Sequence, residues 1–241
     1  MVAAQQHPVL NTSTPARELA LRADTHHVQG IDTDGTRLWV TAVDAAARKG
    51  YLFEFSLEDG SQTRSIELQD GDRFHPGGLT TDADSIWIPI AEYRAKSTAV
   101  IQRRDKRTLA LMSQFTVADH IGCVAVTPEY VIGGNWDSKE FYVWNHEGNL
   151  VRKVASQTGN AYQDLKFVSG KVVGSGTLTG RQGAVDWLEL PAFQLSERKL
   201  VGNTENGQPF TREGMTVFKN QLWFLPEDNK SRLFVFRLDS R

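Results

Sequence analysis

Five copies of one fourteen-residue pattern constrain this chain more than any other feature of its sequence. The first copy runs from His27 to Val40 (HVQGIDTDGTRLWV). The others begin at His75 (HPGGLTTDADSIWI), His120 (HIGCVAVTPEYVIG), Ala161 (AYQDLKFVSGKVVG) and Thr211 (TREGMTVFKNQLWF), and all five align without a gap. In each, the third residue lies nine positions before an aliphatic one: Gln29 and Leu38, Gly77 and Ile86, Gly122 and Val131, Gln163 and Val172, Glu213 and Leu222. A bulky apolar residue follows every time, at Trp39, Trp87, Ile132, Val173 and Trp223.

The copies are spaced 48, 45, 41 and 50 residues apart. Within each interval, short runs rich in β-branched and aromatic residues alternate with turn residues such as Asp34-Gly35, Asp59-Gly60 and Glu147-Gly148. Strands are expected at residues 30–33, 38–43, 51–56 and 63–68, and then at 78–81, 85–90, 99–103 and 109–117. The third unit gives 123–127, 130–133, 141–145 and 150–155, and the fourth gives 165–168, 171–175, 185–190 and 194–201. No helix of ordinary length is evident. Four strands per unit of 40 to 50 residues is the signature of a β-propeller, here with five blades.

The fifth unit holds only three strands, near 215–218, 221–225 and 233–238. Residues 17–24 alternate well enough to form one more strand ahead of the first unit. Adding that strand to the last blade closes the ring and removes an exposed edge. Residues 1–16 are polar and aperiodic and are expected to form a flexible lead-in, so that 17–241 make a single propeller domain.

Composition narrows the partners. With 27 Lys and Arg against 29 Asp and Glu, no broad basic surface for nucleic acid is expected. No apolar run approaches the roughly 20 residues that span a bilayer, so a soluble chain, expected to be a monomer, is the reading. The first residues lack the basic and apolar regions of an export signal. A periplasmic or secreted location is favoured if a signal was removed, and a cytoplasmic one otherwise. The single cysteine, Cys123, rules out an internal disulfide and is expected in the core. Phosphate-loop, dinucleotide and nucleophile-elbow motifs are missing, so no nucleotide cofactor is expected.

The first strand of a propeller blade lines the central channel, and the loop into it opens on the ligand-binding face. The first column of the repeat reads His27, His75, His120, Ala161, Thr211. The third reads Gln29, Gly77, Gly122, Gln163, Glu213, and the second supplies Tyr162 and Arg212. The fourth is Gly30, Gly78, Cys123, Asp164 and Gly214, small in four of five, as close packing at the axis requires. The loops after the second strands add Tyr93, Asn135, Trp136, Asp137 and Glu227, within a ring of acids formed by Asp44, Glu92, Asp137 and Asp228.

Three converging imidazoles suit zinc or iron, so His27, His75 and His120 are expected to hold one divalent metal, with Glu213 as ligand or general base. Such a metal makes a nucleophile of bound water. A metal-free polar pocket and purely structural histidines are the competing readings. The acid ring either binds calcium, the less favoured cation, or caps its own loops. Arg212 either grips a substrate carboxylate or pairs with a neighbouring acid. Trp39, Trp87 and Trp223 are expected between blades, and Trp136 against a ligand.

The pattern His-x-x-Gly-Ile-x-x-Asp-Gly-x-x-Leu-Trp-Val from His27 to Val40 resembles the inner-strand signature of gluconolactonase and strictosidine-synthase propellers. That group usually has six blades. More closely, the chain resembles uncharacterised bacterial five-bladed propellers. The lactonases hold a divalent cation at the channel mouth on acid and amide side chains, whereas the matching positions here carry mainly histidine. The resemblance therefore implies the place of a site and not its reaction. Two functions are carried forward: a metal-assisted hydrolase or lyase acting on a small polar substrate, and a non-catalytic module binding a small ligand or a protein. Gln29, Tyr93, Asn135, Trp136, Asp137, Tyr162, Gln163, Arg212 and Glu227 are the expected ligand contacts, around Glu213 as the catalytic group.

Overall fold

A computed structural model describes residues 7–238. The turn signals at Asp34-Gly35, Asp59-Gly60 and Glu147-Gly148 produce antiparallel hairpins, whereas Lys49-Gly50, also expected as a turn, begins a strand and the turn falls at residues 45–48. At Asp34-Gly35 the Asp34 carboxylate accepts the Thr36 and Arg37 N–H groups at 2.9 and 2.8 Å, and Gly35 takes the positive φ of 91° that closes the turn. This joins β2 (His27–Thr33) to β3 (Arg37–Asp44); β4 (Lys49–Ser56) and β5 (Gln62–Leu68) complete the first blade.

The third blade contains β11 (Ile121–Val126), β12 (Val131–Asn135), β13 (Glu140–Trp144) and β14 (Leu150–Ala155), and the fourth β15 (Ala161–Val168), β16 (Lys171–Thr177), β17 (Gly183–Glu189) and β18 (Gln194–Val201). The fifth has β19 (Glu213–Phe218), β20 (Gln221–Pro226) and β21 (Arg232–Arg237), and its outer member is the N-terminal β1 (Arg17–Ala20). Leu19 pairs with Leu233 and Glu18 with Phe234, so the ring closes as the strand count required. The closing strand stops at Ala20, short of residue 24, and at Arg22 the chain crosses to the first blade, where the Arg22 N–H donates to the Gly60 carbonyl at 2.8 Å.

The second blade departs from the pattern in an instructive way. Its inner strand is split into β6 (His75–Pro76) and β7 (Thr80–Thr81), ahead of β8 (Ser85–Ala91), β9 (Ala99–Asp105) and β10 (Leu111–Val117). At the split, Gly77 and Gly78 press against the next two blades. A Cβ on Gly77 would lie 1.9 Å from the Gly122 carbonyl oxygen, and one on Gly78 would lie 2.4 Å from that of Gln163.

Five apolar clusters fill the five gaps between blades. Trp39 packs with Ile86 and Ile88 between the first two, and Trp87 with Val131 and Trp144 between the next two. Trp223 packs with Val40 and Phe53 where the last blade meets the first. All three tryptophans are buried between blades, as their positions in the repeat implied. Leu10 joins the cluster between blades four and five, and its N–H donates to the Leu200 carbonyl at 2.8 Å. The expected lead-in is thus pinned to β18 at that point; its residues 1–6 lie outside the described residues. Among the described residues no helix is long and apolar enough to cross a membrane.

The axis is plugged. Asp164 fills the position that is glycine in three blades; it is fully buried and accepts the N–H groups of Ile31 and Met215 at 3.0 and 3.1 Å. Lys166 pairs with it and donates to the Leu79 carbonyl at 2.7 Å. Four blades are tied together here, and burial pushes the Asp164 carboxyl up from its usual range against the pull of Lys166. Any ligand entering the channel mouth therefore meets a floor.

Candidate functional site at the channel mouth

Bulges aim the floor's side chains. In blades one, three and four the pairing of inner strand with its neighbour slips at Gln29, Gly122 and Gln163. These are the third-column residues of the repeat. A bulged residue drops out of the ladder, which re-aims its side chain. The third-column residue of the fifth blade, Glu213, has a φ of 137°, a strained backbone for any residue with a side chain.

The result is a cavity of about 220 Å³ over the floor. Eleven of its twelve lining residues are ones the sequence pointed to: His27, Gln29, His75, Tyr93, His120, Asn135, Trp136, Asp137, Tyr162, Gln163 and Glu213; Gly122 is the twelfth. Arg212 and Glu227 stand beside it. The Arg212 guanidinium is 2.8 Å from Glu227 and 3.7 Å from Glu213.

The lining residues fall into three groups. The first is charged. His27 Nε2 is 3.3 Å from Glu227 and 3.7 Å from the buried Glu213, while Gln29 lies 2.9 Å from His27 Nδ1. The Glu213 carboxylate, opposed by burial and helped by Glu227, raises the His27 pKa above its usual 6.5. The second group is neutral and aromatic. The His75 ring stands edge-on to Tyr93 at 4.4 Å and 5.5 Å from that of His120, which meets Trp136 edge-on at 4.6 Å. Burial, with the neighbouring imidazoles, lowers the His75 pKa to about 3. His120 is lowered as well, mainly by burial, and its Nδ1 lies 2.9 Å from the Arg94 carbonyl. Two kinds of histidine thus face one cavity, pushed in opposite directions by their surroundings.

The third group holds the wall in shape. Asn135 donates to Asp119 at 3.1 Å and accepts the Glu140 N–H at 2.9 Å, so its amide braces the loop that carries Trp136. Asp137 takes a φ of 59° and lies 3.4 Å from Lys139. Tyr162, expected to orient a ligand, instead turns its hydroxyl away, donating to the buried Asp186 at 2.7 Å. Asp186 also holds Arg198 through two oxygens, and the ring of Tyr162 packs against Phe141.

The metal expectation changes its members. Among the described residues, the histidine and acid group whose ligand atoms lie within 4.8 Å of one another is His27, Glu213 and Glu227, without His75 or His120. The reason is neighbourhood: His27 faces the fifth blade, which brings two carboxylates, whereas His75 faces rings. The new set has donors that zinc or iron accepts. It also has Arg212 against both carboxylates, a cation already in place. Three of the four ring acids are engaged locally: Asp44 accepts the Ala47 N–H at 2.9 Å, Glu92 that of Thr98 at 3.2 Å, and Asp228 holds the side chains of Asn206 and Arg232, which leaves Asp137 on the cavity wall.

These features define a five-bladed propeller with a floored polar cavity at one end of its axis. The chain belongs to a family of unknown function, DUF6454, whose profile matches residues 43–168, just over half its length. No curated protein matches it. Among solved structures it is similar to the glutaminyl cyclase of Myxococcus xanthus, with 15% identity and a TM-score of 0.70, covering 94% of this chain and 96% of that one. The WD40 domain of Neurospora crassa Pan2 shares 11% identity at a TM-score of 0.53, over 95% of this chain and 74% of that one. A Bacteroides caccae protein of unknown function shares 8% identity at 0.53, over 82% and 70%. At these identities the likeness is one of fold.

Proposed function

We propose that this protein is an enzyme that moves protons on a small polar substrate in the channel-mouth cavity, with Glu213 as the catalytic carboxylate and His27 as its proton-carrying partner. One observation carries this reading. Glu213 is buried, held at a φ of 137°, and shares a 4.8 Å cluster with His27 and Glu227 where the cavity opens. Strained acids do not persist in a floor without surrounding structure that over-determines them, and such strain gathers at active sites. His27 supplies a proton near neutral pH, and Glu213 accepts one. Two carboxylates favour a substrate with an amine or another cationic donor, while Tyr93 and Trp136 give its apolar part a wall. Hydrolysis or elimination at such a substrate needs this acid and base. Ring closure on a glutaminyl residue, the reaction in the name of the Myxococcus protein, needs the same two groups.

A second reading rests on the donor set itself: zinc or iron held by His27, Glu213 and Glu227. When bound, such an ion supplies a Lewis acid beside the cavity. It must compete with the proton that Glu213 favours on His27 and move Arg212, which lies against both carboxylates. The metal-free form is therefore the one we favour.

The test is turnover of a panel of glutaminyl peptides, amides and lactones, following ammonia or acid release, with and without added zinc. Glu213→Gln should lower kcat/KM by about 10²–10⁴-fold. Ligands that bind in the cavity with no turnover of any compound would overturn catalysis and leave the non-catalytic binding module. Turnover that appears only with zinc would overturn the metal-free form.

A further inference from the structure

Gln163 and Glu213 belong at once to the cavity and to a second, larger groove of about 560 Å³. That groove lies between the β16–β17 loop and the segment before β19. Its lips are glycine. Added Cβ atoms on Gly180 and Gly207 would meet nothing within 4 Å, so the lips leave the groove open.

The groove's polar groups are left free in a particular pattern. Arg181, exposed and at a φ of 65°, lines the groove, and among the described residues its guanidinium has no ion-pair partner. The Gln182 amide gives its N–H groups to the Gly183 and Val201 carbonyls at 3.0 and 2.9 Å, which leaves its oxygen to accept. Gln208 gives its oxygen to Arg212 at 3.4 Å, which leaves its nitrogen to donate. Asn203 adds a further amide. Carboxamides that both donate and accept match peptide groups. An unpaired guanidinium matches a carboxylate, which it can grip through two parallel bonds.

We propose that this groove is a peptide subsite: it takes the backbone and C-terminal carboxylate of a short peptide whose free amino terminus lies at Glu213 and Glu227. The charges are ordered for such a zwitterion, with Glu213 and Glu227 at the cavity end beside Arg212, and the unpaired Arg181 farther along the groove. The proposal rests on the functional reading above, because it places that site's substrate. It narrows the substrate class from small polar molecules to short peptides with both ends free.

Calorimetry with triglycine, triglycine amide and N-acetyltriglycine tests it on the wild type, Arg181→Ala and Glu227→Gln. For the wild type, both blocked forms should bind about tenfold or more weakly than triglycine. Arg181→Ala should abolish the difference between acid and amide and keep the N-acetyl penalty; Glu227→Gln should do the reverse. Equal binding of acid and amide by the wild type, an amide penalty that survives Arg181→Ala, or no binding of any form overturns the proposal. Binding with the expected pattern but no turnover in the panel above would sink only the catalytic reading. Turnover with no acid–amide difference would sink only the subsite.

Discussion

At the scale of single residues, the site depends on two histidines whose surroundings differ in sign. His27 gains carboxylates, so its folded pKa stands above its unfolded 6.5. The stability it contributes is fully present below pH 6.5 and is lost as pH rises through the folded value. His75 gains only burial and neighbouring imidazoles, and is lowered to about 3. Its contribution is present above pH 6.5 and is lost as pH falls from there towards 3, at a rate of up to ~1.4 kcal/mol per pH unit. Proton-detected titration of the imidazoles should show this split. In Glu213→Gln the His27 midpoint should fall to 6.5 or below, while that of His75 stays low. A His27 midpoint that does not move would remove the Glu213 pairing from the account.

At the scale of elements, the bulges decide what the repeat presents to the channel. Aligned columns show that Gln29, Gly122, Gln163 and Glu213 are equivalent, but a strand pattern alone places such residues in the ladder. Gln29, Gly122 and Gln163 leave it where inner strands crowd at the axis, with Gly30 against Gly78 and Gly77 against Gly122, while Glu213 stays paired with Pro226 at a φ of 137°. The close approach at Gly77 involves backbone on both sides, with a would-be Cβ only 1.9 Å from a carbonyl oxygen. Gly77→Ala should therefore cost about 1–3 kcal/mol or more, read as a lower urea midpoint at unchanged m-value. A Gly71→Ala control, which meets nothing within 4 Å but has a φ of 60°, should cost less. Equal costs would show that the blades can part at the axis without penalty.

At the scale of the whole molecule, closure is a property of the ring and not of any blade. Each blade buries its apolar faces against two neighbours, so an open ring exposes an edge as well as a cluster. Removing residues 1–20 takes β1 from β21 and strips Leu19 from the cluster between the last and first blades. The truncated chain should melt roughly 6–12 °C lower, equivalent to ~3 kcal/mol, and should self-associate on size-exclusion chromatography. An unchanged melt and a monomeric profile would mean that closure rests on the blade clusters alone.

The sequence determined the fold because the repeat is periodic in the same way the structure is. A blade cannot bury its faces alone, so five ungapped copies and a missing fourth strand dictate a closed ring of five. It also showed which residues gather at the channel mouth, since first-strand starts converge whatever their chemistry; that is why eleven of the twelve residues lining the cavity there were legible. What tertiary structure decided was who meets whom. No column of the repeat says that His27 turns to Glu213 and Glu227 of the last blade while His75 and His120 are stripped of charge among rings. Nor does it show Tyr162 bonding to Asp186 or Asp164 plugging the axis, because those partners lie in other strands or other blades. The groove beyond the cavity left only one trace in the sequence, the 50-residue spacing before the fifth copy, which holds Asn203, Gly207 and Gln208. Periodicity fixes where strands go; the pairing of charges across blades depends on distances that exist only once the ring has closed.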